Sequence, residues 1–354
     1  YEGQLSLKTQ KVKDVIERIG HQNPDLVKPA LGPKEPWAYR NKMQMPVGGT
    51  KGDILMGFYA MGSHDIVQGT NCPIQDEGNN IIAQACYQIA KELDVEPYDE
   101  HTGKGGLRHI IGRIGQSGWM VLLVTATDNL PHQEKWVKNL TERVPQVETI
   151  VHNVNGKRTN VILGPKNRIL YGDGTITDHI KDLRFTLSPH SFFQVNPEQT
   201  TVLYDQALTY ADLKGDETVI DAYCGTGTIS LFLAHKAKHV IGIEIVEPAI
   251  INARENAKRN GYDNTEFIVA DAAVEMPKLY KAGVRPDVIV FDPIRAGCKE
   301  EVLTSAAGME PKRIVYVSCN PATMARDIEI LTHYGYELEE VQPVDMFPMT
   351  AHVE

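Results

Sequence analysis

The chain has 354 residues, 42% hydrophobic and 23% charged, enough for two or three domains, and no apolar run approaches the roughly 18 residues of a membrane span, so no membrane partner is expected. Its five cysteines, Cys72, Cys86, Cys224, Cys298 and Cys319, are odd in number and lack Cys-x-x-Cys spacing, which speaks against a disulfide framework or a zinc site and for a reducing cytoplasm. The net charge of −10 is uneven: residues 1–184 carry 22 basic against 21 acidic groups and residues 185–354 carry 14 against 25, so a nucleic-acid partner would have to be attracted by the first half.

Tyr1 to Leu7 is neither a basic n-region nor an apolar h-region, so no signal peptide is visible, and Tyr1 is not taken as the natural start. Residues 8–20 set Val12, Val15, Ile16 and Ile19 at helical spacing. This amphipathic helix, in a segment 1–28, is able to pack on either domain and is assigned to the catalytic one. From 29 to 184, Gly and Pro are frequent and runs such as Met120–Thr125 are strand-like, with helices expected near Asp76–Leu93 and His132–Arg143. That mixture predicts a separate α+β domain.

Residues 185–354 read as α/β. Strands are expected at 218–221, 239–244, 266–269, 287–291 and 313–317, with helices of about ten residues between them, the signature of parallel βαβ units in a doubly wound sheet. Glu247-Pro248 starts one helix and Asn260-Gly261 stops it.

The segment Asp221-Ala222-Tyr223-Cys224-Gly225-Thr226-Gly227-Thr228 follows a strand and opens a helix. Its glycines let the backbone turn tightly beside a ligand at a helix N-terminus, yet the spacing is not the Gly-x-Gly-x-x-Gly of a pyrophosphate site. Such a loop suits S-adenosylmethionine. Glu244 ends the next strand, where an acid accepts hydrogen bonds from ribose hydroxyls, and Asp271 follows the third, within reach of an adenine edge or serving only as a helix cap.

Asp292 and Cys319 follow the fourth and fifth strands, so a carboxylate and a thiol are expected on one rim beside the cofactor. Methylation of oxygen or nitrogen needs no cysteine. Methylation of a pyrimidine at C5 does, because C5 becomes nucleophilic only after a thiolate adds at C6. The C5 proton must then leave, and His352 or Glu354 near the chain end could take it. A helix starting at Pro321–Thr323 is expected to favour the thiolate.

Together, Ser191-Phe192-Phe193-Gln194-Val195-Asn196-Pro197, the Asp221–Thr228 loop, Asp292-Pro293, Ser318-Cys319-Asn320-Pro321-Ala322-Thr323 and His352-Val353-Glu354 resemble the RNA uracil-C5 methyltransferases, in the version found in the 23S ribosomal RNA branch of Gram-positive bacteria. The resemblance implies a Rossmann-like methyltransferase sheet with a separate RNA-binding domain. It implies S-adenosylmethionine as cofactor, with Gln194, Tyr223, Gly225, Thr228, Glu244, Asp271 and Asp292 around it, Cys319 as nucleophile and Glu354 as base. The implied partner is 23S rRNA, with no obligate protein partner and a monomeric chain. Transfer RNA is the alternative substrate, and a catalytically silent RNA-binding assembly factor the alternative function.

Three departures stand out. Ile294 replaces the second proline of the family's Asp-Pro-Pro-Arg turn, the family continues for a strand beyond the Glu354 position, and the family's small RNA-binding β-barrel is not in these residues. Cys72 alone cannot hold the iron–sulfur cluster some members carry, so no cluster is expected from this chain. Phe192 and Phe193 are either core or ligand contacts. Arg40, Lys42, Lys104, Arg108, Arg113, Lys157, Arg158, Lys166 and Arg168 are candidate phosphate contacts, since a base must be extruded from folded RNA before its C6 is attacked.

Overall fold

The computed structural model describes residues 1–354. The chain divides into two units: Trp37–His179 with Phe185–Val195, and Tyr1–Pro36 with Ile180–Arg184 and Asn196–Glu354. The sequence reading starts its catalytic domain at 185, whereas Phe185–Val195 cluster with the central unit. The reason is local packing: Phe185 lies 5.5 Å from Phe193 between ring centroids, and buried Arg113 donates to the carbonyls of Ser188 and Ser191.

Helix α1 spans Glu2–Arg18 and so begins six residues before the periodic stretch. Its first two turns are mainly polar and carry no apolar rhythm to read. Val12 and Ile16 pack with Met324, Ala325 and Ile328 of the same unit.

In the central unit, β1 (Lys42–Thr50), β2 (Asp53–Tyr59) and β3 (Ile66–Gln68) precede α2 (Glu77–Glu92), β4 (Leu107–Ile114) and β5 (Trp119–Thr125). Helix α3 (Gln133–Arg143), β6 (Val147–Val154) and β7 (Lys166–Tyr171) complete it. The strands form one sheet of order β3-β2-β1-β4-β5-β6-β7, antiparallel except for the β5–β6 pair. Strand alternation sends Met43, Met45 and Val47 of β1 into a core shared with Ile82, Cys86 and Ile89 of α2 and Trp136 and Leu140 of α3. Strands β8 (Ile176–Ile180) and β9 (Leu183–Leu187) make a two-stranded ribbon.

The remaining elements alternate. After α4 (Pro197–Ala211) come β10 (Thr218–Asp221), α5 (Thr228–Ala234), β11 (His239–Glu244), α6 (Glu247–Arg259), β12 (Thr265–Val269) and α7 (Ala272–Lys281). Then follow β13 (Val288–Phe291), α8 (Glu300–Gly308), β14 (Arg313–Tyr316) and α9 (Pro321–Thr332). The sheet is parallel throughout, in the order β12-β11-β10-β13-β14. Its inner strands are apolar because both faces are covered, with Ile220, Ile241, Ile289 and Phe291 in one buried cluster. From β10 the chain winds outward to β12, then crosses back to β13 and β14. The reversal opens a crevice at the carboxyl ends of β10 and β13, where open α/β sheets bind ligands.

Candidate active site

Four strand ends meet this rim. The registers pair Asp221 of β10 with Gly242 of β11 and Val290 of β13, and Phe291 with Tyr316 of β14, so the loops after these strands leave at similar height. They carry Asp221 to Thr228, Glu244, Asp292 to Arg295 and Ser318 to Asn320.

In the first loop Gly225 and Gly227 take φ of +53° and +82°, conformations that favour glycine. A Cβ at Gly225 would enter open space, whereas one at Gly227 would sit 3.1 Å from Ala253 Cβ. Gly225 thus leaves room for a ligand, and Gly227 allows α5 to pack on α6. Asp221 is fully buried; Oδ2 accepts from Ser230 at 2.6 Å while Oδ1 has no hydrogen-bond partner. Burial brings its pKa up to about 6. Glu244 accepts from the Gly225 N–H at 3.2 Å and the Val246 N–H at 2.9 Å, which places its carboxylate against the loop. The Thr228 hydroxyl lies 3.1 Å from that of Tyr204, a buried residue of α4 with no sequence signal beyond helical spacing.

Two expected cofactor contacts also have partners within the chain. Asp271 caps α7 by accepting from Ala273 N–H at 2.9 Å, and its other oxygen takes the Lys299 ammonium at 2.9 Å, which is the capping alternative. The Tyr223 ring packs 6.5 Å from that of Phe291 and its hydroxyl lies beside the Cys298 thiol. Gln194 belongs to the central unit, two residues before Asn196 returns the chain to the catalytic one. In that same segment Phe193 is buried and Phe192 is 71% exposed, so the two phenylalanines part company.

The turn after β13 is held without the second proline. Ile294 is exposed and accepts from Gly297 N–H at 2.9 Å, and the Arg295 carbonyl accepts from Asn320 Nδ2 at 3.0 Å and Thr323 Oγ1 at 3.2 Å. Asp327 Oδ2 also accepts from Cys298 N–H at 2.7 Å. These bonds fasten the turn to the start of α9, whose N-cap Asn320 accepts from Ala322 N–H.

Cys319 and Arg295 line a cavity of about 230 Å³ with His352, Val353 and Lys11. The thiol is raised above its ordinary value, first by burial and then by the Glu354 carboxylate, with Arg295 pulling the other way. A helix start by itself favours the thiolate; two neighbouring carboxylates and desolvation outweigh that. Burial raises Glu354 to about 7 against the attraction of Arg295. Asp292 is raised well above the carboxylate range by burial and by the charges of Glu354 and Asp221. His352 is lowered by burial and by Arg295, Lys11 and Lys8. Cys319, Glu354, Asp292 and Asp221 therefore form one electrostatically coupled group.

Glu354 is held by reciprocal backbone bonds with Val344, at 2.8 and 3.1 Å. The loop between them is tied to α1 through a buried ion pair of Lys8 with Asp345 at 2.5 Å, a Tyr1–Asp345 hydrogen bond, and donation from Lys8 to the Phe347 carbonyl and from Lys11 to the Ala351 carbonyl. No sequence motif marked Lys8 or Asp345.

A doubly wound sheet with a glycine loop after its first strand and an acid after its second defines an S-adenosylmethionine-dependent methyltransferase fold. The family described as tRNA (uracil-5-)-methyltransferase matches residues 129–354, and the chain belongs to it. An uncharacterized RNA methyltransferase of Halalkalibacterium halodurans is 51% identical over 100% of this chain and 78% of its own length. One of Bacillus cereus is 51% identical over 100% and 77%. Among solved structures, the Pyrococcus abyssi tRNA (uracil-54, C5)-methyltransferase in complex with S-adenosyl-L-homocysteine superposes with a TM-score of 0.81 at 27% identity, over 100% of this chain and 82% of that one. No helix here is long and apolar enough to cross a membrane.

Proposed function

We propose that this chain methylates C5 of a uridine in RNA through a covalent adduct on Cys319, with Glu354 as the base. The observation that carries this reading is that Cys319 lines one cavity with Val353, the residue before Glu354, whose carboxylate charge raises the thiol. The residues of the first loop fit the methyl donor: Asp221 keeps a buried, unpartnered oxygen suited to an ammonium group, Gly225 leaves open space, and Glu244 offers a carboxylate for ribose hydroxyls. Thr228 is assigned to the methyl donor by the glycine loop it belongs to, and Gln194 by the Ser191–Pro197 motif. When bound, S-adenosylmethionine supplies an electrophilic methyl group.

The chain's own residues account for the rest. Cys319 Sγ forms a bond to C6 of the uracil, which sends the C5=C6 electron pair onto C5 and O4. Asp292, whose carboxyl is pushed well above the carboxylate range by burial and by the charges of Glu354 and Asp221, offers, when protonated, a hydrogen-bond donor for a carbonyl oxygen that gains charge. Once C5 carries the methyl group, Glu354 takes the C5 proton; the pair left behind restores C5=C6 and Sγ leaves. A carboxyl at about 7 is matched to that task.

The motif Ser191–Pro197 favours 23S rRNA as the substrate, and the full-length likeness to a tRNA enzyme favours tRNA as the second reading. Transcripts of each, incubated with labelled methyl donor and digested to nucleosides, decide between them. Cys319→Ala is expected to abolish 5-methyluridine formation, and Glu354→Gln to accumulate a protein–RNA adduct that survives denaturing electrophoresis. Normal turnover by either variant would refute the mechanism.

A further inference from the structure

Lys42 of β1 and Arg113 of β4 are direct cross-strand partners in the central unit. Opposite residues in a sheet share a face, and like charges placed so repel. Arg113 has compensation: it is buried, donates to Ser188 O at 3.3 Å and Ser191 O at 2.7 Å, and lies near Asp178. The Lys42 ammonium has neither an ion-pair nor a hydrogen-bond partner. Burial, then the charges of Arg113 and Arg40, bring its pKa down to about 8. Arg40 lies two residues earlier, on the same face, with Nε donating to the Lys42 carbonyl at 3.1 Å and its two terminal nitrogens unpaired. His190, in the loop that Arg113 fastens, also feels the Lys42 charge.

A fully solvated surface lysine does not describe this group, because Lys42 is half-buried and lies near two cations. Three fixed positive charges with one carboxylate among them disfavour the folded state, and a bound anion offsets that cost. A planar guanidinium beside a point-charge ammonium matches the oxygens of a phosphate group. We propose that Arg40 and Lys42 form a binding site for a phosphodiester of the RNA strand. The RNA source of that phosphate rests on the function proposed above; the anion site does not.

The test is binding of a fluorescein-labelled oligouridylate to the full chain, followed by anisotropy between about 50 and 200 mM KCl, with thermal unfolding alongside. Lys42→Met is expected to weaken binding severalfold and to reduce the slope of log K against log salt by about 0.7, the value of one single-strand phosphate contact. Relief of the Lys42–Arg113 repulsion is expected to raise its unfolding midpoint, and Lys42→Arg to restore the slope. An unchanged slope with no phosphate-dependent stabilisation of the wild type, or a lowered midpoint accompanying the lost affinity, would overturn the site. Inorganic phosphate that stabilises the wild type but not Lys42→Met, with equal oligouridylate slopes, would assign the site to a free anion and overturn the RNA assignment. Cys319→Ala separates the two readings: it is expected to keep the wild-type slope while losing methyl transfer. Methyl transfer that persists in Cys319→Ala refutes the mechanism without touching the phosphate site.

Discussion

Glu354, Asp292 and Asp221 are three carboxyls whose pKa values all lie above the ordinary range, each first because of burial. Such groups hold protons more tightly folded than unfolded. For Asp221 and Glu354 the contribution to stability is therefore full below the unfolded values near 4 and declines as pH rises through about 6 to 7. Asp292→Asn is expected to stabilise the chain more at pH 8 than at pH 5, read as a larger rise in thermal midpoint at the higher pH, because it removes a charge that is both buried and repelled. Equal effects at the two pH values would show that the native carboxyl is not the source. Catalysis runs the other way. Glu354 accepts a proton only when ionised, so the adduct-resolving step is expected to quicken as pH rises through about 7, read in single-turnover assays. Cys319 was legible because its position before a helix selects one reaction, and Asp292 and Glu354 were named beside it; that these two carboxylates raise its pKa was not, since one follows β13 and the other lies more than thirty residues beyond the thiol.

Among the elements, the loop from Val344 to Glu354 depends on α1. Removing the Lys8 ammonium leaves Asp345 buried and unpaired, a loss of about 3–5 kcal/mol in comparable pairs. Lys8→Met is thus expected to destabilise the chain by an amount that Lys8→Met with Asp345→Leu largely recovers, as a denaturant midpoint series would show. In the single variant methyl transfer should fall further than RNA affinity, because the disturbed loop carries Glu354, the proposed base. Gly227→Ala is expected to cost about 1–2 kcal/mol, from the positive φ and the tight approach to Ala253. Elements with strong periodicity, such as α2 and β10 to β14, could be read from sequence. Helix α4 could not, since its buried side includes Gln199 and Thr200, nor α7, which carries Pro277 inside it.

At the level of the molecule, local strand–helix rhythm revealed the parallel sheet, but the partition of the chain depends on contacts that rhythm does not encode. Residues 1–36 join residues 196–354, and Phe185–Val195 join the central unit. In the first case the bond is between apolar stripes some 300 residues apart; in the second it is one buried arginine capturing two carbonyls. The motif bearing Gln194 is continuous in sequence yet straddles the two units, which is why a linear reading set it wholly in one of them.

The distance along the chain between α1 and α9 has a consequence for biosynthesis. Val12 and Ile16 leave the ribosome early, and the residues that cover them, Met324 to Ile328, emerge roughly 15–60 s later at ordinary elongation rates. During that interval the first helix carries a bare greasy stripe with no docking place, a natural client for a holding chaperone. Glu354, the proposed base, lies at the end of the loop tied to that helix, so the proposed thiol chemistry waits until the helix is seated.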